Sequence, residues 1–209
     1  MSQTATETLV VYSDYVCPFC FLGYESLDEY LAERSEPLET EWHPYDLRAG
    51  QRDSDGEINH SVDTGKDEEY YENARQNVER LADQYDVEMT QTLKRNVDSF
   101  DAQRVAYAAA EEHPDAFESF HRGVFDALWR EGRDIGDTEV LETLALDAGL
   151  PKDFVPRTLQ DEETAEALES AFDEARSRRI TGVPTFIYGE HAARGAVPPE
   201  HLRRLVEGQ

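Results

Sequence analysis

Both cysteines of this 209-residue chain stand in one turn, Cys17-Pro18-Phe19-Cys20, just after the short apolar run Leu9-Val10-Val11-Tyr12. Two thiols at that spacing suit two-step sulfur chemistry. At the start of a helix, unpaired backbone amides and the helix dipole stabilise a thiolate on Cys17. Pro18 costs nothing at the first helical position, where its missing N–H would have no helical acceptor. Cys20 then falls one turn inside, within disulfide reach of Cys17 but away from solvent. One sulfur attacks and the other resolves. A C-x-x-C pair also serves as half of a zinc site, or as plain buried packing. No second pair completes an all-thiolate site, and His43, His60, His113, His121, His191 and His201 show no ligand spacing, so no metal is expected and these histidines read as surface or core residues.

The elements around the turn are legible as periodicities. The run from Glu7 to Ser13 reads as a strand that breaks at Ser13-Asp14, and Leu27, Tyr30 and Leu31 mark the helix that follows. Leu38, Thr40 and Trp42 alternate into a second strand, and the polar, glycine-bearing stretch from Leu47 to about Asp67 reads as a loop. Helical spacing then dominates up to about Arg178: Ala74 to Tyr85, Ala102 to Ala109, Phe117 to Leu128, Val140 to Leu144, and Leu168 to Ala175. Two strands joined at Gly189-Glu190 and a closing helix after Pro198-Pro199 complete the chain. The expectation is an α/β fold split in three: 1–66 as the β-α-β part, 67–178 as an all-helical insertion, and 179–209 as the β-β-α part. Asp14, an acid at a strand end, reads as a loop residue or cap, with proton relay at the cysteine turn as the alternative. Tyr70 and Tyr71, beside Glu68 and Glu69, read as a solvated helix end.

Charge narrows the function classes. Asp plus Glu number 46 against 20 Lys plus Arg, a formal net charge of -26. Such a surface repels nucleic acid and anionic lipid, so neither is an expected partner. The three lysines, Lys66, Lys94 and Lys152, and the scatter of acids over the whole chain resemble proteins of salt-in halophiles, whose electrolyte screens charge within about 3 Å at molar strength. No segment approaches the roughly 20 apolar residues of a membrane span, and none near Met1 reads as a secretory leader, so a cytoplasmic location is expected.

The stretches DYVCPFCFLG (14–23), HPYDL (43–47), DSFDAQRVAYAA (98–109), LWREGRDIGDTEVLETLALDAGL (128–150), TGVPTFIYGE (181–190) and RGAVPPEHLRRL (194–205) together resemble the DsbA-like branch of the thioredoxin superfamily. The likeness is strongest to its FrnE-type subgroup, related to 2-hydroxychromene-2-carboxylate isomerases and kappa-class glutathione transferases. It implies a thioredoxin-like fold and Cys17, Cys20 and Pro184 as catalytic residues. It also implies a cis Val183-Pro184 bond against the cysteine turn, with Val183, Pro18 and Phe19 meeting the substrate. No cofactor is implied beyond a redox-active Cys17–Cys20 disulfide. Phe19 stands where many relatives have Trp or His, which implies milder oxidising power than a periplasmic DsbA, and Gln103 stands where relatives often carry His. The isomerases and kappa transferases use Ser in place of the first cysteine, whereas this chain keeps Cys17. Disulfide exchange with protein or low-molecular-weight thiol substrates is therefore the leading expectation. A thiol-dependent isomerase or transferase and a non-catalytic peptide-binding or holdase module are the alternatives, and a homodimer is left open.

Overall fold

The computed structural model describes residues 8–53, 56–93 and 96–208. Met1 to Glu7, where the first strand was expected to begin, and Lys94 lie outside them. A four-stranded sheet in the order β2-β1-β3-β4 forms the frame. Strand β1 (Leu9–Ser13) pairs parallel with β2 (Thr40–Pro44) in the register Val11↔Trp42, and antiparallel with β3 (Thr185–Tyr188) in the register Val11↔Phe186. Strand β4 (His191–Arg194) closes the edge through a two-residue hairpin in which Gly189 takes φ 57°, a left-handed conformation that glycine adopts without steric cost.

The alternation along β1 sorts its side chains onto two faces. Leu9 and Val11 pack with Leu27 and Tyr30 of α1 (Pro18–Glu33), Phe186, and Leu202 of the last helix. Val10 and Tyr12 pack on the other face with Ile187, Ala175 and Ile180.

Among the described residues, six α-helices lie between β2 and β3: α2 (Glu68–Tyr85), α3 (Phe100–Glu112), α4 (Pro114–Trp129), α5 (Thr138–Asp147), α6 (Phe154–Gln160) and α7 (Glu162–Ser177). The closing helix α8 (Pro199–Glu207) follows β4, with Pro199 at its first turn. Asp67 caps α2 by accepting from the Tyr70 amide at 2.8 Å, and Asp137 and Asp161 cap α5 and α7 in the same way. Helix α6 escapes a reading by periodicity because it has seven residues and carries Pro156 inside it. The expected loop after Leu47 holds a short 3-10 turn at Ala49–Gln51 and a bridge between Arg52 and Ile58.

The largest apolar cluster joins the cysteine turn to this helical layer. It holds Tyr15, Cys17, Cys20 and Phe21 together with Val105, Phe120, Phe125, Leu128, Trp129 and Phe154. Burial of such side chains at roughly 1.5–3 kcal/mol each is what fixes the helices over the turn. Among the described residues, no helix is long and apolar enough to cross a membrane.

Candidate active site

Cys17 is the N-cap residue of α1, extended at φ -94° and ψ 114°, and Pro18 holds the first turn. Cys17 N–H donates to the Asp14 carbonyl at 3.1 Å, and the Cys17 carbonyl accepts from the Cys20 and Phe21 amides at 3.0 and 3.2 Å. The turn is thus wound by its own backbone, which the spacing alone anticipates. The Val183-Pro184 bond is cis, and the Cys17 thiol donates to the Val183 carbonyl at 3.6 Å, 166 residues away in sequence. Helix and proline loop meet at Gly23, where an added Cβ would lie 3.0 Å from Pro184 Cγ and 3.2 Å from Phe186 Cζ.

Cys17 is 5% exposed and Cys20 2%, and both are free thiols. Their surroundings differ. Cys17 stands on the wall of a groove of about 750 Å³ with Pro18, Phe19, Leu47, Thr181, Gly182 and Val183. Arg48, His60, Lys66, Tyr70 and Tyr71 also line it, with Asp63 among them. Tyr70 and Tyr71 therefore line the site as well as opening α2, and Lys66 lies over the Tyr70 ring at 5.3 Å. Burial pushes the Cys20 thiol well above the ordinary thiol range, and the hydrogen-bonded Cys17 beside it pushes the same way.

Asp14 does more than end a strand. It is fully buried, and its Oδ1 accepts from the Val16 amide at 3.2 Å, the Ser99 hydroxyl at 2.6 Å and Gln103 Nε2 at 3.3 Å. Its Oδ2 accepts from the Leu47 amide at 2.9 Å. Gln103 also accepts from the Tyr45 amide at 3.2 Å. One carboxylate thereby ties the cysteine turn, the segment after β2 and the start of α3 together. Its removal from water raises its pKa to about 6, against the lowering effect of the Ser99 and Leu47 bonds. Sequence reasoning missed this role; the signal was the buried-type triad Asp14, Ser99 and Gln103, visible only once α3 is packed on the turn.

The site places the expected Cys17, Cys20, Pro18, Phe19 and Val183 together, and Pro184 against the second turn of α1. Among the described residues no cluster of His, Cys, Asp and Glu is arranged to hold a metal ion.

A split sheet, a helical layer between its halves, a cysteine pair at a helix start and a cis-proline loop beside it define a thioredoxin-type protein. The family model of the DsbA-like thioredoxin domain matches residues 8–207, and the chain belongs to that family. Similar proteins include the uncharacterized protein YwbO of Bacillus subtilis, 30% identical over 98% of each chain. Among solved structures, the probable DsbA oxidoreductase SCO1869 of Streptomyces coelicolor has a TM-score of 0.79 at 22% identity, covering 97% of this chain and 89% of that one. A 2-hydroxychromene-2-carboxylate isomerase has a TM-score of 0.73 at 21% identity, over 95% and 92% of the two chains. The cytosolic disulfide reductase DsbM of Pseudomonas aeruginosa has a TM-score of 0.65 at 19% identity, over 95% and 91%.

Proposed function

We propose that the chain is a thiol-disulfide oxidoreductase, and the observation that carries this reading is the Cys17 thiol lying between the first turn of α1 and the Val183 carbonyl, on the wall of a groove. In the reducing direction, the Cys17 thiolate attacks one sulfur of a substrate disulfide and the other sulfur leaves as a thiolate. The Cys20 thiolate then attacks Cys17 Sγ, releasing the second substrate thiolate and closing the Cys17–Cys20 disulfide. The backbone at Thr181 to Val183 offers polar groups to an extended segment, while Pro18 and Phe19 supply apolar contact. Arg48 and Lys66 line the groove of a chain whose net charge is -26, which favours an anionic thiol or disulfide, either a small molecule or an acidic peptide. The cytosolic reductase among the similar structures supports a cytoplasmic setting. We read the acidic surface as an adaptation to concentrated electrolyte; a higher thermal midpoint in molar potassium chloride than in dilute buffer is expected, and an equal or lower one rejects this.

The functional test is insulin reduction and oxidative refolding of a reduced protein, both in molar salt. Cys17→Ser is expected to lose exchange by about 10³-fold or more, because a hydroxyl forms no mixed disulfide. Cys20→Ser is expected to keep the first attack and accumulate covalent adducts seen by non-reducing mass analysis. Undiminished turnover in Cys17→Ser would move the assignment to a thiol-dependent isomerase, and absence of exchange in the parent would move it to a binding module.

A further inference from the structure

Exchange requires the resolving thiol to lose a proton, and the groove does not explain how Cys20 does so. Asp14 is no candidate for the base: four donors already hold its two oxygens. A second, smaller pocket reaches Cys20 and shares no lining residue with the groove. Cys20 and Tyr24 of α1, Ser13 of β1, Trp42 of β2, and Glu118 and His121 of α4 bound it. It has about 50 Å³ of room for water, where one water needs roughly 10–15 Å³ on the same measure.

Its polar groups are matched to a water. Trp42 Nε1 is a buried donor that finds no hydrogen-bond partner among the described residues. His121 Nδ1 is bonded to Tyr15 Oη at 2.7 Å, which leaves Nε2 as the ring nitrogen that can meet a water. Trp42 and His121 lie side by side, their ring centroids 5.4 Å apart. Burial, reinforced by Arg122, holds the imidazole neutral down to about pH 3, so it meets a water without carrying charge, and Nε2 accepts from that water in the tautomer whose Nδ1–H donates to Tyr15 Oη. The remaining titratable groups lining the pocket are Tyr24 on α1, Glu41 on β2, and Glu118 on α4, which accepts from Tyr24 Oη at 2.6 Å; Cys17 neighbours Cys20 from the groove side.

We propose that Trp42 and His121 are positioning residues for the second half of exchange: they hold a water behind Cys20 through which its proton leaves and returns. The proposal rests on the disulfide-exchange reading. In the step concerned, the Cys20 S–H bond breaks, the proton passes to the water and on to solvent, and the sulfur attacks Cys17 Sγ. The Cys17–substrate S–S bond breaks, the Cys17–Cys20 bond forms, and the substrate thiolate departs into the groove and is protonated there. The mixed disulfide is thus exchanged for the protein disulfide with no other oxidant.

Stopped-flow reaction with 5,5'-dithiobis(2-nitrobenzoate) separates the two halves, because each releases one coloured thiolate. Trp42→Phe and His121→Phe are expected to slow the second release by about 10-fold or more, with the first within about twofold of the parent. In both variants added imidazole should accelerate the second release, which a packing defect would not produce. Unchanged second release, or equal slowing of both releases, overturns the proposal. No first release in the parent defeats disulfide exchange itself. A measurement on the parent alone stands if a variant does not fold: the Trp42 indole N–H should show a cross-relaxation peak to a bound water. The other tryptophan, Trp129, is the internal control, since its indole donates to the Tyr15 carbonyl at 2.9 Å. Absence of the Trp42 peak overturns the proposal.

Discussion

The two sides of one helical turn are built from different material. In front of Cys17 lie a groove of about 750 Å³ and a cis-proline loop, with Arg48, Lys66 and Asp63 in its lining; behind Cys20 lie Trp42, Tyr24, Phe117, His121 and Phe125 around about 50 Å³. Two residues, Pro18 and Phe19, separate the cysteines, yet the fold gives one a substrate-sized opening and the other an aromatic enclosure. The difference teaches that two chemically identical thiols acquire different surroundings from what packs on each side of the helix start. Spacing alone makes them a pair, not an ordered pair.

The sharpest way to break this comparison is to ask the thiols themselves. With limiting iodoacetamide at neutral pH, Cys17 is expected to be alkylated faster than Cys20 by about two to three orders of magnitude, because Cys20 is enclosed and its thiol is held protonated by burial. Peptide mapping by mass spectrometry reads the ratio. Preferential labelling of Cys20 would reverse the roles of front and rear.

A second effect, of a few kcal/mol, separates the buried ionisable group on each side. Asp14 takes its proton at about pH 6 in the folded chain, above the ordinary value of 3.8. Its contribution therefore favours folding below about pH 4 and is lost as the pH rises through 6. Over that window the stability of the parent relative to Asp14→Asn should fall by about 3 kcal/mol. His121 runs the other way: its folded pKa of about 3 lies below the ordinary 6.5, so its contribution is present above about pH 6.5 and is lost as the pH falls toward 3. Denaturant unfolding of the parent, Asp14→Asn and His121→Phe between pH 4 and 7 should show relative slopes of opposite sign. Slopes of the same sign would show that front and rear are not electrostatically distinct.

The smallest effect concerns the contact between α1 and the proline loop. Gly23→Ala places a methyl 3.0 Å from a ring carbon of Pro184, which has little freedom to withdraw. Overpacking of about 1–3 kcal/mol, partly offset by the roughly 1 kcal/mol gain in helix propensity, should leave a net loss of up to about 2 kcal/mol. A thermal midpoint equal to that of the parent would mean that the loop shifts freely, and that the 3.6 Å approach of Cys17 to Val183 is not fixed by packing.

What the chain determines by itself is local. The i, i+3 spacing of Cys17 and Cys20, Pro18 at the helix start, the alternation along β1 and the helical spacings from Ala74 to Ala175 each act within a turn or a strand, so they can be read before the fold is known. The sequence order also places a helical layer between the two halves of the sheet, and the resemblance carried by TGVPT marks the Val183-Pro184 bond. Only the tertiary structure decides the rest. Asp14 meets Leu47, Ser99 and Gln103 across 33, 85 and 89 residues, and Tyr15 meets His121 across 106. Tyr70 and Tyr71, solvated in appearance beside Glu68 and Glu69, are turned into a wall of the groove by where α2 docks. No periodicity encodes such partners, because hydrophobic patterning says that a residue is buried without saying against what. A buried carboxylate or imidazole acquires its protonation from the particular groups that topology brings to it.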